Sequence, residues 1–356
     1  MQRKFIVTAV TGATLALALA GCSSNGSSLE DVQYSMNGAT AEPSISFETP
    51  FAVNEATTHI IQEGSGELIK EGDNLLVDAT VFKGENGEKA GSTYQQTPFV
   101  IPVGDELKKQ APELYDVLAN AKVGTSFSYS TNTVPAQDAS GSSSASPLPE
   151  DSPTKIEVYT VRSKLLDKAE GKELPKDQIN KAIESFTIGD DKKANLKLAA
   201  DRGDAPDKVV AQDLIKGSGE KVKDTDTIYV KYQGVRWEDG KAFDGNYDSQ
   251  QPIDLNLQGV IKGWTEGLSG KTVGSRELLI IPANKAYGDE TQQGAPTGPL
   301  VFVVDILGAT DNPQAASAAQ ASSSAKPSAS ATGSVSEPAT SSAPASTTPS
   351  SSSTGQ

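Results

Sequence analysis

"GVIKGWTEGL", residues 259–268, holds one of the chain's two tryptophans, with glycines close on both sides. Val260, Ile261, Trp264 and Leu268 fall at helical spacing, so the stretch reads as a short helix with one apolar face. Any core helix shows that spacing. By itself it leaves Trp264 open between ordinary core and the floor of a site.

The surrounding signals are β. "TIYVKYQGV" (227–235) alternates and is rich in Val, Ile and Tyr. "RELLIIPA" (276–283) and "PLVFVVDIL" (299–307) are apolar runs bounded by Gly or Pro. In "WEDGKAF" (237–243) the pair Asp239-Gly240 marks a hairpin turn. One short helix among several strands implies an α+β fold in which the sheet wraps the helix.

A second set of segments repeats this plan earlier in the chain. "IIQEGSGELIKEGDNLLVDATVF" (60–82) lines up with "DLIKGSGEKVKDTDTIYVKYQGV" (213–235), Gly64 matching Gly217. "TPFVIPVG" (97–104) parallels "QPIDLNLQ" (251–258), and "AKVGTSFSYS" (121–130) parallels "KTVGSRELLI" (271–280). Conserved order and spacing over a domain length imply an internal duplication. The expected organisation is a first domain at 46–166, a linker at 167–205 and a second domain at 206–308. The stretch "LPKDQINKAIESF" (174–186) within that linker reads as a short helix.

The ends differ from this middle. The chain has 356 residues, of which 36% are hydrophobic and 6% aromatic, and the shortage of apolar residues is concentrated at the C-terminus. Residues 309–356, rich in Ser, Ala, Thr and Pro, cannot bury enough apolar surface to offset their ordering entropy and are expected to be disordered. At the N-terminus, "MQRKFIVTAVTGATLALALAGC" has a charged start at Arg3 and Lys4, then an apolar run too short for a confident membrane span. It ends in Leu19-Ala20-Gly21-Cys22, which resembles a bacterial lipobox. The resemblance implies a lipoprotein signal peptide at 1–21, acylation of Cys22 and a lipid anchor in the cell membrane on its extracytoplasmic side. Cleavage removes two bases and no acid, taking the net charge from −15 to −17. Cys22 is the single cysteine, so no disulfide forms within the chain. Residues 22–45 then read as a flexible tether. With no basic block in the mature region, a nucleic-acid partner is disfavoured.

In the second copy, "VKYQGVRWEDGKAFD", "QPIDLNLQGVIKGWTEGL", "VGSRELLIIPANKAYG" and "LVFVVDIL" follow one another in order. Together they resemble the FKBP-type peptidyl-prolyl cis-trans isomerases over essentially all of 206–308. The resemblance implies two FKBP-like domains, each an antiparallel sheet wrapped around a short helix, with an apolar pocket between sheet and helix in the second. By that resemblance Tyr232, Phe243, Ile253, Val260, Trp264 and Phe302 bind the substrate, with Trp264 as the floor for a prolyl ring. Tyr287, Asp244 and the backbone N–H of Ile261 are the implied catalytic groups. The resemblance further implies prolyl-containing unfolded or exported polypeptides as partners, with no cofactor or metal. His59, the single histidine, has no Cys, His or Asp cluster in the sequence around it, which argues against a metal site or a Ser-His-Asp triad.

The second copy departs from the family at two places. "GDETQQGAPTGPLV" (288–301) is short and has Ala295 before Pro296, where the family carries bulky aliphatics. No arginine lies between Asp244 and Pro252. Both imply a shallower site, lower activity, or weak binding of the macrolides that the family binds. The first copy departs further. Ala79 stands in place of Tyr232, "DELKKQAPELYDVL" (105–118) brings no tryptophan, and "TNTVPAQDASGSSSASPLPED" (131–151) replaces the "AYG" segment. It is expected to be catalytically silent, a spacer or a client-binding surface. The alternative for the whole chain is a non-catalytic FKBP-fold binding module or holdase at the cell surface. A solute-binding lipoprotein fits the lipobox and the length, but would show alternating βα units.

Overall fold

The computed structural model describes residues 26–38, 40–94, 96–137, 143–149, 151–290 and 294–311. The signal peptide, Cys22 and the C-terminal tail from 312 onward lie outside the described residues.

The first half begins with a small hairpin, β1 (Gln33–Ser35) and β2 (Ser44–Ser46). Next come β3 (Thr57–Gln62), β4 (Asn74–Phe82), β5 (Lys89–Ser92), β6 (Phe99–Pro102), α1 (Asp105–Gln110), α2 (Pro112–Asn120) and β7 (Ser126–Ser130). A side hairpin, β8 (Thr133–Gln137) and β9 (Ser143–Pro147), precedes β10 (Ile156–Lys164). The sheet runs β3-β7-β10-β4-β5, antiparallel, with β6 also on β4.

The second half repeats this order. It comprises β11 (Lys172–Glu173), a hairpin of β12 (Ile183–Ile188) and β13 (Ala194–Leu198), β14 (Val210–Lys216), β15 (Thr227–Arg236), β16 (Ala242–Gly245) and β17 (Ile253–Asn256). It ends with α3 (Lys262–Leu268), β18 (Arg276–Ile281) and β19 (Leu300–Thr310). Its sheet runs β11-β14-β18-β19-β15-β16 with β17 on β15, so β14, β18, β19 and β15 take the places of β3, β7, β10 and β4. The fold is α+β, two antiparallel sheets each packed on helix.

On the inner face of the second sheet, Ile228, Val230, Leu279, Ile281, Val304 and Ile306 pack with Trp264 and Leu268 of α3. In the first sheet, Leu75, Val77, Phe127 and Val161 pack with Leu114, Tyr115 and Leu118 of α2. The helical stretch of the first copy is broken in two at Ala111, whose φ of −146° is extended. Pro112 is the reason, because proline disfavours a helical residue before it and is well placed as the first residue of a new helix.

Two expectations are corrected. The linker 167–205 is not helical over 174–186. It has one 3-10 turn at Lys176–Gln178 and then the β12–β13 hairpin. Ala182, Leu196 and Leu198 pack under that hairpin against Val235, Trp237, Leu278, Ile280, Val301 and Val303, on the outer face of the second sheet. The Arg202 guanidinium lies 5.5 Å from the centre of the Trp237 ring. Burying a second sheet face outweighs any local helical preference, and explains why "LVFVVDIL" is apolar without alternation. Likewise the stretch 22–45 is not wholly a tether. Leu29 and Val32 are buried with Phe51, Phe82, Ile156 and Val158 on the outer face of the first sheet, and β1–β2 pairs there. Each repeat therefore starts with a hairpin ahead of its sheet, earlier than the sequence match detects.

The two sheets belong to one compact unit. Tyr229, fully buried, packs with Leu76 and Leu165, and its hydroxyl donates to the Pro98 carbonyl at 3.0 Å. The Leu166 N–H donates to the Leu307 carbonyl at 2.9 Å. No helix among the described residues is long and apolar enough to cross a membrane.

Candidate functional site

The site forms where the inner face of β15 and β19 meets the start of α3. Strand alternation turns Tyr232 inward beside Val230, while Tyr229 faces the junction with the first half. The Tyr232 ring meets Trp264 edge-on at 5.3 Å, and Trp264 meets Phe302 the same way at 5.3 Å. Phe243 from β16 abuts Phe302 at 5.6 Å, again edge to face. Such T-shaped contacts match ring edges to ring faces and fix the aromatic walls.

Gly234 makes this closeness feasible. A Cβ there would lie 2.8 Å from both Phe243 Cζ and Phe302 Cε1. Gly263 does the same for the helix, since a Cβ would sit 2.3 Å from Ile281 Cγ2. The glycine beside Trp264 thus lets α3 lie directly on β18.

A cavity of about 450 Å³ opens over these rings. Tyr232, Phe243, Trp264 and Phe302 form its aromatic lining, Val260 and Ile261 one side, and Asp244 and Tyr287 the rim. Every site residue expected from the sequence lines it except Ile253. Ile253 pairs with Val230 and packs at the edge of the same core, while Leu255, two residues on and on the same face of β17, lines the cavity. Gly259 also lines it. Neither Leu255 nor Gly259 was identified from sequence, although the period of two from Ile253 points to Leu255.

The polar groups are few. The Tyr232 hydroxyl donates to Asp244 Oδ2 at 2.5 Å, and the Gly245 N–H donates to Asp244 Oδ1 at 2.9 Å. Asp244 makes no ion pair among the described residues, consistent with the lack of a nearby arginine. Tyr287 is 42% exposed and its hydroxyl is held above the usual tyrosine range, by partial burial and then by the Asp244 charge. Ile261 is the N-cap of α3 with ψ of 143°. Its N–H donates no hydrogen bond among the described residues, since the first donors of a helix have no partner within it. Asn246, also missed in the sequence, fixes the wall. Its side chain accepts from the Tyr232 N–H at 2.8 Å and donates to the Val230 carbonyl at 3.0 Å. Ala295 and Pro296 are not among the cavity-lining residues.

The same place in the first half is built differently. Ala79 occupies the position of Tyr232, its N–H received by Thr93 at 2.9 Å as Asn246 receives that of Tyr232. The buried pair Leu114 and Leu118 precedes the Val123-Gly124 turn at the same spacing as Trp264 and Leu268 precede Val273-Gly274. Tyr159 stacks on buried Phe127 at 5.2 Å and donates its hydroxyl to Glu157. An aromatic pair stands in the interior, with no tryptophan floor.

Chemically, the second-half cavity offers an apolar aromatic surface, a tyrosine hydroxyl and a free backbone donor. Among the described residues no group of His, Cys, Asp or Glu is arranged to hold a metal. The arrangement suits a ring-shaped apolar group with a carbonyl beside it.

The family described as FKBP-type peptidyl-prolyl cis-trans isomerase matches residues 218–307. A probable FK506-binding protein of Corynebacterium glutamicum is 39% identical over 108 residues, covering 30% of this chain and 92% of that protein. The FKBP-type peptidyl-prolyl cis-trans isomerase FkpA of Escherichia coli is 42% identical over 108 residues, covering 30% of this chain and 40% of its own length. The crystal structure of FkpA from Escherichia coli matches with 41% identity and a TM-score of 0.27, over 29% of this chain and 48% of that one. The chain thus spans most of the first relative and less than half of the second. It belongs to the FKBP-type peptidyl-prolyl cis-trans isomerases.

Proposed function

We propose that the cavity over Trp264 isomerises X–Pro bonds in exported polypeptides, outside the membrane that holds the chain through acylated Cys22. The observation that carries this reading is the juxtaposition of an aromatic floor with two donors, the Tyr287 hydroxyl and the unpaired Ile261 N–H.

Rotation about an X–Pro bond meets a barrier of ~18–20 kcal/mol, because resonance holds the amide planar. Lowering it needs no nucleophile or proton relay, only an environment that favours the twisted amide over the planar one. The prolyl ring sits on Trp264 between Tyr232, Phe243 and Phe302. Water, which stabilises the polar planar amide, is excluded there. The Ile261 N–H and the Tyr287 hydroxyl donate to the carbonyls that flank the twisting bond, and Asp244 holds the Tyr232 wall in place. Slow prolyl isomerisation limits the folding of many chains, so such a site would serve newly exported proteins. The first domain, with Tyr159 and Phe127 in its interior, is catalytically silent and contacts clients by other means.

The test is cis-trans exchange of a prolyl tetrapeptide by the full chain. Turnover that falls sharply in Tyr287→Phe, in protein with an unchanged melting curve, supports the reading. No turnover by well-folded protein sinks it. The anchor is tested separately: Cys22→Ser should release the chain from the membrane fraction.

A further inference from the structure

The two halves share one topology, so corresponding positions can be compared directly. In the second sheet Asp213 of β14 pairs with Glu277 of β18. The Lys271 ammonium bridges them, 2.7 Å from each carboxylate. In the first sheet the corresponding pair is Ile60 of β3 and Phe127 of β7. Ala121 stands where Lys271 does: its carbonyl receives the Ile69 N–H, as that of Lys271 receives the Val222 N–H. The ion cluster that fills the second half is therefore missing from the first.

A groove of about 540 Å³ opens in its place, between α2 and β3. Thr58, Ile60, Val117 and Ala121 line it, and Ile60 is 42% exposed although it lies within a strand. Glu63, Glu113 and Asp116 also line it, against a single cation, Lys122. Beside the groove, β3 ends its sheet, and no strand among the described residues pairs with its outer side. The corresponding edge in the second sheet is occupied, since β11 pairs with β14 through Lys172–Lys216 and Glu173–Ile215. An open strand edge next to an apolar groove is the geometry of strand addition, in which main-chain hydrogen bonds hold the guest and alternate side chains enter the groove.

We propose that this groove binds an extended segment of a client polypeptide, added to the sheet as a strand beside β3, in which every second residue faces the groove and those residues alternate between apolar and basic. The apolar side chains lie on Ile60 and Val117, and the basic ones meet Glu63, Glu113 and Asp116. A second copy of this chain is a poor guest. With 46 acidic against 31 basic residues and a net charge of −15, it would bring carboxylates to carboxylates. This inference rests on the reading that the protein handles unfolded polypeptides. It gives the silent half the task of holding a client while the other half acts on its prolines.

The experiment uses the full chain and a fluorescein-labelled decapeptide with the repeat valine-serine-lysine-serine, which brings valine and lysine in turn to one face and has no proline to engage the Trp264 cavity. Fluorescence anisotropy should show saturable binding that weakens in about 0.5 M salt. The same peptide with glutamate in place of each lysine should not bind. The double variant Glu113→Lys with Asp116→Lys, a half-buried and an exposed position that both line the groove from α2, should lose at least about tenfold in affinity for the lysine peptide. Its turnover of a prolyl tetrapeptide should be unchanged. Equal binding of both peptides, or undiminished binding by the double variant, overturns the proposal. So does light scattering that shows a dimer which the double variant loses. Peptide binding without prolyl turnover would support the groove while refuting the isomerase reading, so the two fail separately.

Discussion

The Tyr232 hydroxyl lies 2.5 Å from Asp244 Oδ2, and the same ring stands edge-on to Trp264 at 5.3 Å. One residue thus joins the polar rim of the cavity to its aromatic floor. Tyr232→Phe keeps the ring and removes the link. The hydroxyl is at the rim, so the loss in stability should stay near about 1 kcal/mol. Prolyl turnover should fall several-fold, because Asp244 and the hairpin that carries Phe243 are then less fixed. Paired urea melts and tetrapeptide exchange rates would check this, and an unchanged rate would remove Tyr232–Asp244 from the mechanism.

Trp264 raises the question of fold against function most directly. It is 4% exposed in the core cluster, yet the first half folds with Leu114 at the corresponding place. Trp264→Leu should therefore leave a folded domain, destabilised by about 2–4 kcal/mol through lost contacts and residual cavity. Turnover should fall by more than about tenfold, as the ring loses its platform. Circular dichroism with exchange kinetics separates the two effects. A variant with full activity would make Trp264 ordinary core.

The Asp213–Lys271–Glu277 cluster makes stability depend on pH. Burial, and then the hydrogen bond shared with Asp213, pushes the Glu277 carboxyl up from 4.5 to about 8. The folded state then holds a proton that the unfolded chain has released, and stability falls as pH rises from about 4.5 to about 8. The shifts of its neighbours act elsewhere, since Asp213 is lowered from 3.8 and Lys271 raised from 10.5. Melting temperatures from pH 5 to pH 8.5 should drop more in the natural protein than in Glu277→Gln, which mimics the protonated form. Parallel curves would refute this assignment.

The junction between the halves gives a fourth test. Tyr229 is fully buried and donates to the Pro98 carbonyl across it. Tyr229→Phe leaves that buried acceptor unpaired and should cost about 1–2 kcal/mol. Prolyl turnover should not change, because the side chain points away from the cavity. Gly308→Ala acts at the same place, since its Cβ would lie 2.3 Å from Leu165 Cδ2 and must displace that side chain. An unchanged denaturation midpoint in both variants would mean that the junction adds nothing to stability.

Much of the second half was legible in the sequence because its signals are local. The period of "GVIKGWTEGL" gave α3, and Asp239-Gly240 gave a turn in which Gly240 takes a φ of 66°. The order of the apolar runs, set beside the earlier copy, implied the duplicated sheet. The β12–β13 hairpin was not legible. Ile179, Ala182, Ile183 and Phe186 are spaced for a helix, and only the apolar outer face of the second sheet, formed by residues up to Val303, draws Ile183 and Phe186 into a strand. The same cause hid the folding of Leu29 and Val32 onto the first sheet.

At the site, residue types and their order named nearly every side chain that surrounds the cavity. Tertiary packing alone decided that Leu255 lines it while Ile253 stays at the edge, and that Asn246 fixes the Tyr232 backbone. It also decided the fate of one pair of positions in the two halves: Asp213 and Glu277 closed around Lys271, while Phe127 is buried in the core and Ile60 is left lining an open groove. Local periodicity sets which face of an element is apolar. Which distant residue covers that face, and whether any does, is settled only when strands far apart in the chain are brought together.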